Sequence, residues 1–357
     1  MIRYKYLFLL IIFNVPINSR SPHRSHYQQM PELITRWVSD KHYYSMKSPF
    51  LQEYPIFKLY NENFFLSHLL PDQITSLADP TKTVSGNHLS QLIENLLIEI
   101  KQNKKKFTDF ELLQWKDYNK KRHYGLIVLK FKQYPFVLKL FIETPASLTA
   151  PFNKGIEPIF LFCMGGGINR HMMGFTRIPN LEIINYRLNQ SEIWENQVIT
   201  PRKWYWLPKN NYWIEITGKH INKNNEILVT KIPGTYAIVA DYIECERKFS
   251  LFNANDTARA LELCNYLELF IDPHIENFMI EKNSKKIAIV DTEHFLTIVG
   301  LEKVTQEYKN YGSWYLELVL KCLKDSFFCT KKDRMEIRKR SSEHWPFNNV
   351  SQSRVYV

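Results

Sequence analysis

The sequence predicts a mixed α+β fold in which an antiparallel sheet precedes a helical region. Three strand patterns follow one another from residue 107, and a helical pattern of apolar residues begins near residue 255. The chain has 357 residues and a hydrophobic content of 45%, enough for two domains or for one large two-lobed domain.

The first 19 residues have the pattern of a secretory signal peptide. A basic start is followed by an apolar run from Tyr6 to Phe13, the helix breaker Pro16 and the small residue Ser19. A buried strand is the alternative interpretation. The signal peptide predicts an exported or secreted protein, and without it the chain is expected in the cytoplasm. No later segment is apolar enough to cross a membrane, so we expect no transmembrane segment in the mature chain.

Residues 20–106 are expected to form an N-terminal extension. Prolines interrupt short aromatic stretches up to residue 80, which predicts loops and short helices packed onto a larger body. Residues 86–103 then carry apolar side chains at helical spacing, which predicts an amphipathic helix. These side chains are Leu89, Leu92, Ile93, Leu96, Leu97 and Ile100.

Five extended segments between residues 107 and 244 are predicted to form one five-stranded antiparallel sheet. The turn "KQYP" separates the second and third segments, and the polar loop "NKNNE" is expected to join the last two. In chain order the segments are "FELLQW", "HYGLIVLKF", "FVLKLFIE", "YWIEITGKHI" and "TYAIVADYIE".

Residues 145–205 are a long insertion between the third and fourth of these segments. Its stretch "LEIINYRL" predicts a helix. The glycines Gly165, Gly166 and Gly167 offer free backbone N–H groups to a phosphate, but they lack the Lys and Ser/Thr of a P-loop. A flexible turn is the favoured interpretation.

Charge and cysteine content exclude some classes of function. The net charge of +11 suits a phosphate-rich partner, but the lysines are scattered over surface-like segments, which predicts no specific nucleic-acid binding. The five cysteines include no C-x-x-C pair, which excludes a zinc knuckle and gives no disulfide framework. A single disulfide stays open.

The candidate site follows a predicted helix, "NDTARALELCNYLELF", with Asn255 or Asp256 as its N-cap. The chain then reaches Asp272, a short strand "FMIE", the turn "KNSKK", a second strand "IAIV" and Asp291. A tight hairpin would place Asn277 and Asp291 side by side, with Asp272 opposite. The alternative is a hairpin whose acidic residues face solvent.

This set of residue types suits phosphoryl transfer. One carboxylate can orient or deprotonate an attacking hydroxyl, while an Asn oxygen and a second carboxylate hold Mg²⁺ against phosphate oxygens. The motifs "FIDPHIENFMI" and "IAIVDTEHF" resemble the catalytic loop and metal-binding strand of the protein-kinase-like superfamily. The resemblance is to the branch with an Asp-x-His-x-x-Asn loop, which includes aminoglycoside and choline phosphotransferases and the atypical kinases of ubiquinone biosynthesis.

The resemblance implies a two-lobed kinase-like fold that binds ATP and Mg²⁺. Its N-lobe is expected at residues 107–244, its mostly helical C-lobe at 245–330, and a polar tail at 331–357. Asp272 is implied as the catalytic base, His274 as a support of the loop, and Asn277 and Asp291 as the Mg²⁺ ligands.

Three further residues receive nucleotide-binding roles from the resemblance. Lys139 stands on the third strand, where such folds keep the Lys that pairs with the phosphates. Glu182 is the preferred Glu to hold this Lys, with Glu157 as second choice. Asp241 lies in "AIVADYIE", the implied hinge strand whose backbone meets adenine.

Departures from the family pattern keep other functions open. The turn between the first two strands has one glycine, Gly125, and the metal strand ends in Asp-Thr-Glu instead of Asp-Phe-Gly. The predicted function is therefore a divergent phosphotransferase acting on a protein or small-molecule hydroxyl. The alternatives are an inactive pseudokinase-type binding module and an exported basic interaction protein without nucleotide.

Overall fold

The computed structural model describes residues 29–47, 51, 54, 56–77, 81–115, 118–149, 168–222, 224–267, 271 and 274–293. The chain divides into two units, Met1–Met30 and Pro31–Val357, and every element described below belongs to the second. Several expectations fall outside the described residues: the signal peptide 1–19, glycines 165–167, Glu157, Asp272, the C-lobe beyond residue 293 and the tail 331–357.

The described residues form a mixed α+β structure with several antiparallel sheets, as predicted. The helices are α1 (Ile56–Leu59), α2 (Glu62–Ser67), α3 (Gly86–Lys101), α4 (Pro145–Thr149), α5 (Ile168–Asn189) and α6 (Ala254–Tyr266), with a 3₁₀ turn at Ile275–Asn277. The first strands are β1 (Glu32–Trp37), β2 (Tyr43–Lys47), β3 (Gln73–Thr75), β4 (Thr83–Ser85), β5 (Phe110–Trp115), β6 (Gly125–Phe131) and β7 (Phe136–Ile142). The later strands are β8 (Val198–Ile199), β9 (Lys203–Trp206), β10 (Trp213–Lys219), β11 (Leu228–Pro233), β12 (Thr235–Asp241), β13 (Cys245–Lys248), β14 (Phe278–Glu281) and β15 (Ile287–Ile289).

One sheet of five antiparallel strands has the order β5-β6-β7-β12-β9. The predicted hairpin between β6 and β7 is confirmed, with Val128 opposite Lys139. Because successive side chains of a strand point to opposite faces, each face of this sheet has its own core. One core contains Ile127 and Leu138 together with Leu89 and Ile93 of α3.

The fifth strand of this sheet differs from the prediction. The segment "YWIEITGKHI" contains β10, which pairs with β1 and β11 in a separate sheet of order β11-β10-β1-β2. The loop "NKNNE" therefore joins β10 to β11, and the short strand β9 takes the fifth place. Alternation of buried and exposed residues predicts a strand but does not identify the strand that pairs with it. Strand β9 has only four residues and lies between two prolines, so its sequence pattern is too short to predict a strand.

Strands β1 and β2 lie in a segment that was expected to be irregular. Pro31 directly precedes β1, and the sequence of the paired strands, Glu32–Trp37 and Tyr43–Lys47, contains no proline. In β1 the buried side chains of Leu33 and Thr35 alternate with more exposed ones, which is the pattern of a half-buried strand. The predicted helix at 86–103 is confirmed as α3, capped by the Ser85 side chain.

Helix α5 contains the predicted helical stretch "LEIINYRL" and packs on the face of the five-stranded sheet opposite α3. Pro179 lies inside α5 and has no N–H to donate to the carbonyl of Phe175, four residues earlier. The buried Tyr205 hydroxyl of β9 donates to this carbonyl at 2.8 Å. The sheet therefore supplies the hydrogen bond that proline removes, and this fixes α5 against β9.

The last described residues form the predicted hairpin. Strands β14 and β15 pair antiparallel, between β13 on one side and β8 on the other, where β15 and β8 are parallel. Helix α6 precedes this hairpin as predicted, although its N-cap is Asn253, whose side chain accepts from the N–H groups of Asn255 and Asp256.

Candidate functional site: a buried cluster of charges

The hairpin places Asn277 next to the segment that carries Asp291. The backbone N–H of Val290 donates to the carbonyl of Asn277 at 3.1 Å, so the two strand ends meet as the sequence predicted. The His274 side chain caps the 3₁₀ turn by accepting from the N–H of Glu276 at 3.4 Å.

The carboxylate of Asp291 is buried and contacts two cations. Nζ of Lys139 donates to Oδ2 at 2.7 Å. Nε of Arg177 donates to Oδ1 at 2.8 Å, and its Nη2 lies 3.4 Å from Oδ2. A sheet lysine and a helix arginine therefore hold one carboxylate between them, and hydrogen bonds between charged groups are the strong ones.

Two neighbours of Asp291 extend this contact to a charge cluster. The buried carboxylate of Glu293 pairs with Nη2 of Arg177. The Thr292 hydroxyl donates to the carbonyl of Arg177 at 2.7 Å, and Nζ of Lys203 donates to that hydroxyl at 2.6 Å. We call Lys139, Arg177, Lys203, Asp291 and Glu293 the charge cluster.

Strand register explains why both lysines meet the same segment. Lys139 of β7 pairs with Ile238 of β12, and Ile238 pairs with Tyr205 of β9. Lys203 precedes Tyr205 by two residues, so it shares the face of Tyr205 and of Lys139. The two side chains therefore leave one face of the sheet and bind consecutive residues, Asp291 and Thr292.

Burial and charge act in opposite directions on the cations of the charge cluster. Burial lowers the pKa of the Lys203 ammonium well below its ordinary value, although the nearby Asp291 opposes the shift. Burial also opposes the charge of Arg177, but Asp291 and Glu293 outweigh it and raise the pKa of this guanidinium. Among the described residues the cluster has three basic side chains and two carboxylates, and Lys203 contacts the Thr292 hydroxyl where Lys139 and Arg177 contact a carboxylate.

The structure places Glu182 away from Lys139, and the predicted pair is wrong. Oε1 of Glu182 lies 2.9 Å from Nε2 of His68, at the end of α2. Glu182 follows Arg177 by five residues on α5, so it faces a different direction from Arg177, which contacts Asp291. Within the described part of the chain, Nζ of Lys139 contacts the carboxylate of Asp291.

Asp241 ends β12, and its buried carboxylate is bound by Arg202. Nε and Nη2 of Arg202 each donate to it at 2.8 Å, and the backbone N–H of Arg202 donates at 3.0 Å. This bidentate pair explains why a carboxylate is buried at the strand end. The role that the resemblance implies for this strand therefore depends on its backbone and not on the Asp241 side chain.

Mg²⁺ prefers carboxylate and amide oxygens, which Asp291 and Asn277 carry. However, both oxygens of Asp291 already accept hydrogen bonds from Lys139 and Arg177. The described residues contain no group of three or more His, Cys, Asp or Glu side chains that could hold a metal ion. The site as described does not fit a Mg²⁺ ion, and Asp272 lies outside the described residues.

Arg177 and Lys203 are the site residues that the sequence did not reveal. Arg177 stands in the apolar stretch "MMGFTRIPNL", where a lone charge is a recognisable signal of a buried ion pair. Lys203 lies in "RKWYW", where alternation places Lys203 and Tyr205 on one face and Trp204 and Trp206 on the other.

Three comparisons with known proteins, a scan against family models and searches of curated proteins and of solved structures, found no match to this chain. Within the described part of the chain, no helix has the length and apolar character needed to cross a membrane.

Proposed function

We propose that this chain is a divergent, kinase-like phosphotransferase that binds ATP between the five-stranded sheet and the segment 275–293. The observation that carries the proposal is the 2.7 Å contact between Lys139 and Asp291, which are 152 residues apart in the chain. The resemblance assigned these two residues to the phosphates and to the metal, and both roles require that they meet in one site.

Two features of the structure support the fold in this proposal. Lys139 lies on the third strand of a five-stranded antiparallel sheet, the position that the resemblance implies for the phosphate-binding Lys. Asn277 and Asp291 stand at the two ends of a short hairpin that follows helix α6. We propose a two-lobed arrangement, with the sheet in one lobe and α6 and the hairpin at the start of the other.

In the proposed reaction the acceptor is a hydroxyl group of a protein or a small molecule. The acceptor oxygen bonds to the γ-phosphorus of ATP, the bond from this phosphorus to the bridging β-phosphate oxygen breaks, and ADP leaves. Asp272 accepts the proton of the hydroxyl, and Lys139 holds the phosphate oxygens in place during transfer. Asp291 would be open to Mg²⁺ only if Lys139 and Arg177 no longer occupied its two carboxylate oxygens. His274 keeps the short turn between Asp272 and Asn277 in its shape through its contact with the N–H of Glu276.

A pseudokinase-type binding module is the second candidate, and the position of Arg177 favours it. The guanidinium is fully buried and bonded to both Asp291 and Glu293. Removing one partner of such a buried pair leaves a desolvated charge, which commonly destabilises a protein by about 3–5 kcal/mol. An arginine that keeps hold of Asp291 would allow nucleotide binding without transfer.

Export of the protein remains part of the proposal through residues 1–19. ATP is scarce outside cells, so an exported phosphotransferase acts after delivery into another cell or compartment. A fusion of these residues to a reporter tests this point, and a reporter that stays in the cytoplasm would refute it. A basic exported interaction protein without nucleotide is the remaining alternative, and it predicts no ATP binding at all.

Calorimetric titration of ATP, with and without Mg²⁺, tests the proposed function alongside an ATP-consumption assay. We expect the parent protein to bind and consume ATP. Asp272→Ala should keep binding and lose turnover, because this carboxylate acts on the chemical step. Asp291→Ala should weaken the Mg²⁺-dependent part of binding. Lys139→Met should weaken ATP binding and should disturb Arg177 less than Asp291→Ala does, because the bond between Arg177 and Asp291 remains.

Controls separate these effects from loss of structure. Thermal melting of each variant comes first, and Lys231→Met, an exposed lysine of β11 in the other sheet, removes one positive charge away from the site. Binding without consumption by the parent would favour the pseudokinase. A parent protein that binds no nucleotide under either condition would make the kinase-like interpretation wrong.

A further inference from the structure

We infer that Lys203 is a second cationic ligand for the phosphate groups of the bound nucleotide, deeper in the site than Lys139. This inference rests on the proposed nucleotide site. The side chain of Lys139 is 20% exposed, whereas Lys203 as a whole residue is 6% exposed. The two side chains leave the same face of the sheet and end beside consecutive residues, Asp291 and Thr292.

Unused hydrogen-bond donors support this role. Among the described residues, the ammonium of Lys203 makes one hydrogen bond, to the Thr292 hydroxyl, although it has three N–H groups. Nη1 of the fully buried Arg177 has no hydrogen-bond partner within the described part of the chain. Buried donors without acceptors are costly, and phosphate oxygens are acceptors that can satisfy several of them at once.

The charge balance points to the same class of ligand. Within the described part of the chain, the charge cluster has three basic side chains and two carboxylates, and the carboxylates are bound by Lys139 and Arg177. Lys203 meets a neutral hydroxyl instead. A polyphosphate beside Lys139 and Lys203 would offer acceptors and negative charge to both lysines, which a neutral ligand such as adenosine cannot do.

The test is a titration of ATP and of adenosine in EDTA, which removes any contribution of a divalent metal to binding. The parent protein should bind ATP more tightly than adenosine. Lys203→Met should lower ATP affinity about tenfold or more, because a hydrogen bond to a charged group is lost, and should leave adenosine affinity unchanged. Lys231→Met should behave as the parent protein.

Thermal melting without ligand gives an independent measurement. Methionine has nearly the length of lysine and needs no partner in a buried site, so Lys203→Met should melt at or above the temperature of the parent. A variant that is at least as stable but binds ATP more weakly identifies a ligand-binding lysine. A variant that loses stability together with affinity for both ATP and adenosine would show a structural role and overturn the inference.

The remaining outcomes separate this inference from the proposed function. If the parent binds ATP and Lys203→Met binds it equally well, the inference is wrong and the proposed function stands. If the parent binds ATP only with Mg²⁺, the metal and not Lys203 supplies the charge, and the inference is again wrong. If the parent binds neither ATP nor adenosine, the proposed function fails and the inference with it.

Discussion

His171 on helix α5 should make the stability of the protein fall between neutral and mildly acidic pH. The ring is fully buried, and its Nε2 lies 2.9 Å from the carbonyl of Pro233, which can only accept. Nε2 therefore carries the proton of a neutral ring. Aromatic side chains of Phe141, Phe175 and Tyr236 surround it edge to face. Nδ1 of His171 has no partner among the described residues, so a proton there would be a buried, unpaired donor.

Burial lowers the pKa of His171 to about 4, and the hydrogen bond to Pro233 opposes the shift only in part. A histidine in the unfolded chain titrates near 6.5, so the unfolded state takes up the proton first as the pH falls. The contribution of the neutral His171 ring to the free energy of unfolding is fully present above about pH 6.5. It declines as the pH falls and is fully lost near pH 4. The difference between the pKa of His171 in the folded and in the unfolded chain corresponds to about 3 kcal/mol in the free energy of unfolding.

Urea unfolding of the parent and of His171→Phe at about pH 7.5 and about pH 4.5 measures this difference. Phenylalanine keeps a ring in the aromatic pocket but cannot titrate. Between these two pH values the parent should lose about 2–3 kcal/mol more than His171→Phe. His88→Phe, a change at an exposed histidine of α3, should keep the pH dependence of the parent. Equal pH dependence in the parent and in His171→Phe would refute the reasoning.

Two further substitutions test contacts that position the site. Tyr205→Phe should destabilise the protein by about 1–3 kcal/mol, because the Phe175 carbonyl inside α5 then lacks a donor. Urea unfolding measures this loss, and an unchanged stability would show that another group replaces the hydroxyl. Asp256→Asn should cost about 2 kcal/mol at neutral pH, because the bidentate bond from Arg247 is weakened. Burial alone would raise the pKa of Asp256, but Arg247 lowers it overall, so this cost should shrink as the pH falls through the acidic range. A cost that is independent of pH would contradict the assignment.

Local patterns predicted the elements of this fold better than their partners. The hairpins β6/β7 and β14/β15 were predicted because their strands follow each other through short turns, so pairing is fixed by neighbours in the sequence. The pairing of β1 with β10 joins residues far apart, such as Arg36 and Glu215, and alternation alone does not select such a partner. This is why β10 was expected in the wrong sheet.

The candidate site shows the same limit. Asp291 was predicted because it directly follows a buried strand, where a carboxylate needs a partner. Its partners lie at positions 139 and 177, on a strand and a helix far earlier in the chain. Glu182 was preferred, with Glu157 as second choice, because the resemblance implies a Glu that holds Lys139. The structure has the opposite charge there: α5 supplies the cation and the segment after β15 supplies the acids.

This inversion affects how the site can work. Where a lysine is held by a helix carboxylate, the acidic residue after the hairpin stays available for a metal ion. In this chain Lys139 and Arg177 both bind Asp291, and among the described residues Lys203 beside them bonds to the Thr292 hydroxyl and to no carboxylate. Apolar side chains of similar size would commonly be as stable as such a buried cluster, so its charges are poorly explained by stability. The proposed nucleotide site would explain these charges, because its phosphate groups would meet Lys139 and Lys203 together, and under that proposal the position of Arg177 decides between transfer and binding alone.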